Sequence, residues 1–99
     1  MGEKKLSFEW DAGNVLHLWE QHQVRPYEAE QALKDENSML SPDELHSKRE
    51  ARFTVVGITK KHRILFQAFT IRKGKIRILH ARDAKRKEVK LYEEKISLT

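Results

Sequence analysis

Apolar and polar positions change their spacing along the chain, and each change marks an element. Leu6, Phe8 and Trp10 alternate with Ser7 and Glu9, which predicts a short period-two strand. Asp11 then suits a helix N-cap, and Val15, Leu18, Trp19 and His22 recur at helical spacing. Pro26 suits the first position of a second helix, with Ala29, Ala32 and Leu33 on one side. Residues 34–50 mix turn formers with charge. They predict a loop with a short strand near Ser38–Leu40 and a turn at Ser41–Asp43. β-Propensity then rises, and residues 51–59, 63–71 and 75–81 read as three strands. Their connections are short, one at 60–62 and one around Gly74, so they form an antiparallel meander. Asp83 is placed to cap a final helix over residues 84–95, with Ala84, Val89, Leu91, Tyr92 and Ile96 as its apolar stripe.

This order predicts one α+β domain over residues 1–99. An N-terminal strand and two helices come first, then the antiparallel β-meander and a C-terminal helix, with the helices on one side of the sheet. Apolar residues make up 38% of the chain and charged residues 35%, which predicts a thin core under a charged exterior. The absence of cysteine excludes a disulfide framework, a thiol nucleophile and a cysteine zinc site, and it fits a reducing compartment. No apolar run approaches the roughly 18 residues that span a bilayer, and residues 1–10 lack the apolar stretch of a secretory signal. A cytoplasmic protein without a membrane partner is expected.

The net charge of +5 hides an asymmetry. Residues 1–51 sum to −5, whereas residues 52–99 carry fourteen Lys/Arg and four Asp/Glu and sum to +10. A basic half of that size is the electrostatic footprint of a polyanion binder. Metal chemistry has little support. His17 and His22 are five apart and diverge on a helix, and His46 with Glu50 lacks a third ligand by spacing. No nucleophile elbow or glycine-rich phosphate loop is present.

Metal-free RNA cleavage fits the residues better. RNA supplies its own nucleophile, the 2′-hydroxyl. The protein needs a base, an acid, and cations to stabilise charge at phosphorus. Arg52, Arg63, Arg72, Arg77 and Arg82 lie on or beside the three strands, with His46 and Glu50 just upstream. Alternation puts Arg52 and Thr54 on one face of the first of these strands, opposite Phe53 and Val55. In a regular third strand Arg77 and His80 face opposite ways, as do Arg77 and Arg82, and only a bulge unites them. Trp10 and Trp19 read as core aromatics, and His22 as a histidine on the apolar stripe of its helix. Lys85, Arg86, Lys87 and Lys90 read as a solvated helix face that attracts RNA without sequence preference.

The order of motifs resembles the BrnT toxin family. It is carried by Phe8-Glu9-Trp10-Asp11, His22 with Val24, His46-Ser47, Glu50 with Arg52-Phe53, Gly57 and Arg63. The most specific part is Ile76-Arg77-Ile78 with Ala81-Arg82 and Ala84, followed by Glu88 and Tyr92. The resemblance implies a small ribonuclease toxin of a type II toxin–antitoxin system with a RelE-like fold and no cofactor. It implies a BrnA-type antitoxin with a ribbon-helix-helix DNA-binding part, operator DNA bound through that antitoxin, and a 2:2 hetero-oligomer. On the residues and the resemblance together, Arg63, Arg77 and Arg82 are assigned to phosphate stabilisation and His46 or Glu50 to proton transfer. Arg52, Lys61, His22, Lys85 and Arg86 are assigned to RNA binding. The chain also departs from the family pattern. Gln21-His22-Gln23 stands where Lys-His-Gly is usual, Leu18 where Asn is common, Arg25 and Pro26 where Ser opens the second helix, and His80 where Ser is usual. A second reading follows from these departures: a weakened homologue that binds antitoxin and nucleic acid in promoter autoregulation.

Overall fold

The computed structural model describes residues 6–98. Its first predicted strand shrinks to a single parallel bridge, Phe8 to Ile76. Two backbone hydrogen bonds of 2.8 Å hold it there, Glu9 N to Ile76 O and Ile76 N to Ser7 O. The chain must then turn into α1, Ala12–His22, so the pairing stops. Asp11 caps α1 as predicted. Its Oδ1 accepts from Asn14 N at 3.1 Å, and Asn14 Oδ1 accepts from Asp11 N at 2.9 Å, a reciprocal box that satisfies two otherwise unpaired amides. Pro26 opens α2, Pro26–Lys34, where Glu28 Oε1 accepts from Arg25 N at 2.9 Å.

Four antiparallel strands form one sheet in sequence order: β1 Met39–Pro42, β2 Arg52–Ile58, β3 Ile64–Arg72 and β4 Lys75–Asp83. The turn expected at Ser41–Asp43 moves downstream, because β1 pairs with β2 through Pro42 and a 3-10 turn follows at Glu44–His46. Lys73 and Gly74 both have positive φ, 50° and 77°, the geometry of a two-residue hairpin turn. Asp83 does not cap the last helix. It pairs with Leu65 in the ladder and with the Arg63 side chain at 2.7 Å, so it stays in β4. Lys85 takes the cap position of α3, Arg86–Ser97, and Glu88 Oε1 accepts from its amide at 2.8 Å.

Residues paired across a ladder share a face. Phe53, Val55 and Gly57 of β2 therefore lie with Leu65, Gln67 and Phe69 of β3, and with Ile76, Ile78 and Ala81 of β4. These join Leu18, Val24, Ala29 and Ala32 of the helical segment in one core. α1 packs on β4, and α2 on β2 and β3. α2 comes close to the sheet at Gly57, where the position of a Cβ lies 2.0 Å from Ala32 O. Gln67 Nε2 donates to Ala29 O at 3.1 Å beside it. α3 reaches β2 at its far end. There Asp35 Oδ2 accepts from Ile58 N at 3.0 Å and from the buried Tyr92 hydroxyl. Burial, and then the Asp35 bond, push the Tyr92 phenol up from its ordinary range. Lys95 Nζ donates to Ser38 O at 2.8 Å on the same side. None of the helices described is long and apolar enough to cross a membrane.

The departures near α1 acquire physical meaning. Leu18 is fully buried in the core, so that substitution alters packing and leaves the surface as it was. Gln23 ends the helix with φ 52° and ψ 46°, the left-handed region in which glycine is least strained. Gln23→Gly is expected to stabilise the chain by about 0.5–1 kcal/mol, the relief of left-handed strain less glycine's entropy cost. Urea titration checks this, and an unchanged or lower midpoint counts against it. Trp19 differs from expectation. It is 38% exposed, and the Arg25 guanidinium lies 3.7 Å from its ring centroid. Trp10 does pack against the core, and its indole N–H donates to Glu30 at 2.7 Å.

Candidate functional site

The register of β3 and β4 slips once. Phe69 pairs with Ile78 but Ala68 pairs with His80, so Leu79 is an extra residue in β4. The slip reverses the facing of everything after it. By this register Arg77, His80 and Arg82 share the ladder face opposite Ile76, Ile78 and Ala81, and His80, on the edge strand, also reaches His22 at the end of α1. Three rows run across the sheet there: Arg52–Thr70–Arg77, Thr54–Ala68–His80 and Val56–Phe66–Arg82. Small residues floor the centre and cations stand around it.

Three cations on this face, Arg72, Arg77 and Arg82, are oriented by carboxylates. Arg77 donates to Asp11 at 2.9 Å and to Glu9 at 3.3 Å, and its side chain is only 17% exposed. Asp11 is held below the usual carboxylate range, first by the Arg77 hydrogen bond and then by the Asn14 amide. Arg82 grips both oxygens of Glu88 at 2.8 and 2.9 Å and lies 4.2 Å over the Phe66 ring. That grip is the main reason the Glu88 carboxyl is held low. Arg72 holds Glu50 in the same bidentate way, at 2.8 and 3.0 Å. The Arg72 bond is also the main cause of Glu50's depressed pKa, to which the charges of Arg52 and Arg77 add. Arg52 alone of these has no side-chain partner among the described residues. It lines a cleft of about 560 Å³ with His46, Lys48, Arg49, Glu50 and Arg72.

The residues singled out in the sequence thus divide. Arg52, Arg77 and Arg82 share the open face, and Glu50 reaches it from the end next to Arg52. His46 lines the same cleft, exposed, with Nδ1 2.9 Å from Asp43. Lys61, Lys85 and Arg86 are exposed on a turn and at the start of α3. Arg63 lies on the helix side. It donates to the His22 and Gln23 carbonyls, both at 2.9 Å, and pairs with Asp83 at 2.7 Å and Glu28 at 3.3 Å. It closes the C-terminus of α1 and ties it to α2 and β4, an arrangement that favours a cation. His22 stands at that terminus with its ring against His80. Sequence reasoning counts Arg72 among the strand arginines but gives it no role at the site, and it gives His80 none either. The odd spacing of Arg77, His80 and Arg82, three and then two, was the available signal, because charged residues seldom point into a core.

Such a face can hold several phosphates at once through planar, preset guanidiniums, with histidine beside them. The chain matches none of the curated proteins. A family model does match, over residues 10–88, and that span contains α1, α2, the whole sheet and Glu88. The chain belongs to the BrnT family of ribonuclease toxins of type II toxin–antitoxin systems.

Proposed function

We propose that this protein is a metal-independent endoribonuclease toxin that cuts RNA laid across the open face of its sheet. The observation that carries this reading is the β4 bulge, which aligns Arg77, His80 and Arg82 beside Arg52. RNA is favoured over a small anion because the cations extend over three strand rows, further than one phosphate reaches. Single-stranded RNA is favoured because its 2′-hydroxyl can rotate into line with the scissile P–O5′ bond. The carboxylates that pair with Arg77 and Arg82 leave part of each guanidinium unused. In both, three donors are engaged by protein oxygens, out of about five per side chain, and the rest can meet phosphate. In the cell, cleavage of this kind stops translation and growth. A BrnA-type antitoxin with a ribbon-helix-helix part neutralises the toxin in a 2:2 assembly, and the complex binds operator DNA.

The test is direct. Purified chain is incubated with single-stranded RNA in excess chelator, with and without the partner. Cleavage that the partner abolishes is the expected result. Intact RNA from a folded chain overturns the enzyme reading. If that chain still binds the partner, the weakened, noncatalytic module is the correct account.

A further inference from the structure

Two imidazoles meet beside Arg82. The His22 and His80 rings stand edge to face, with centroids 5.1 Å apart and planes at 89°. They come from different elements. His22 is the last residue of α1, and His80 follows the extra residue of the β4 bulge. Both residues are half-buried. Neither ring has a hydrogen-bond or carboxylate partner among the described residues, so their nitrogens remain available. His46 differs, because Asp43 engages its ring. Beside the bulge, Gly13, Asn14, His17, Arg77, Ile78 and Leu79 line a recess of about 290 Å³.

We propose that His22 and His80 are the proton-transfer pair for RNA cleavage at this face. The inference rests on the ribonuclease reading above and deepens it. One imidazole takes the proton from the 2′-hydroxyl as its oxygen forms a bond to phosphorus. The P–O5′ bond breaks, and the other imidazole gives its proton to the departing 5′-oxygen. The products are a 2′,3′-cyclic phosphate and a 5′-hydroxyl, and no further reactant is needed. Arg82, next to His80, stabilises the extra negative charge at phosphorus. With one ring neutral and the other protonated, the pair puts a proton acceptor and a proton donor side by side. That is the state the reaction requires, one base and one acid.

The surroundings divide the roles. His80 faces His22 and His17 on α1, Arg82 on its own strand, and the neutral Ala68 on β3. Burial, and then the charges of His22, Arg82 and His17, push its pKa below the ordinary imidazole value. Burial and these charges disfavour the charged form of His80, which suits it to the base, and His22, whose ring meets it edge to face, takes the acid's place.

Cleavage of a single-linkage oligoribonucleotide by the wild-type chain, His22→Gln and His80→Gln, across about pH 5 to 8, tests this. Melting curves establish that each variant is folded. The wild-type profile is expected to be bell-shaped, and each variant to lose one limb and about 100-fold in rate. A substrate with a 5′-thio leaving group needs no acid. It is expected to restore His22→Gln to within about tenfold of wild type and to leave His80→Gln slow. Folded variants that cut at the wild-type rate overturn the pair while the ribonuclease reading stands. A flat wild-type profile overturns it too, whatever the variants do. A wild-type chain that cuts nothing overturns both.

Discussion

Replacing Gly57 with alanine lowers the stability of this fold by about 3 kcal/mol or more. The methyl group has no room. Its position lies 2.0 Å from the Ala32 carbonyl oxygen and 2.9 Å from the carbonyl carbon, and both atoms belong to the backbone of α2. No side chain can swing aside, so the helix itself must lift from the sheet. That movement strains the Gln67 hydrogen bond to Ala29 O and opens space around Ala29 and Ala32, both completely buried. It also drags Asp35, which joins the end of α2 to Ile58 and to Tyr92 of α3. A domain of this size has only about 5–15 kcal/mol to lose. The melting midpoint is expected to fall on the order of 15 °C. A fall of less than about 3 °C would mean that α2 shifts freely and that Gly57 is not what sets its distance from the sheet.

The elements were largely legible because their signals are local. Capping by Asp11, the proline at the start of α2 and the alternation of β2 and β3 need no knowledge of distant residues. The parts that escaped depend on distant partners. Phe8 to Trp10 alternates like a strand, yet pairing with β4 lasts one bridge because α1 begins at Ala12. Asp83 has the chemistry of a cap, but Arg63, twenty residues earlier, keeps it in the ladder. Trp19 occupies a helical apolar position, but Arg25 from the next segment covers its ring and leaves it at the surface. The site suffered most. Its arginines could be found by composition, but whether they share a face depends on one extra residue at Leu79. Strict alternation sets Arg77 and Arg82 apart, and the bulge reunites them.

Removing either of those arginines separates catalysis from folding. Arg77→Ala and Arg82→Ala are each expected to cut RNA between about 100- and 1000-fold more slowly, the range seen when one preset donor to a developing anion is lost. Both should stay folded: Arg77→Ala leaves Asp11 and Glu9, which are 54% and 42% exposed, and Arg82→Ala frees only Glu88 and the Asp83 carbonyl next to it. Glu88 also keeps its bond to the Lys85 amide. Arg63→Ala should behave in the opposite way. It frees two carbonyls at the end of α1 and breaks that terminus's ties to Glu28 of α2 and Asp83 of β4, so it is expected to cost about 2–3 kcal/mol of stability. Any loss of cleavage in that variant should follow its unfolded fraction as temperature rises. Rates measured beside melting curves decide between the two roles. If Arg63→Ala melts like wild type and fails to cut, Arg63 acts on phosphate and the open face is not the whole site. If Arg77→Ala and Arg82→Ala cut normally, the shared face of β4 has no part in the chemistry, and the bulge is only a feature of the fold.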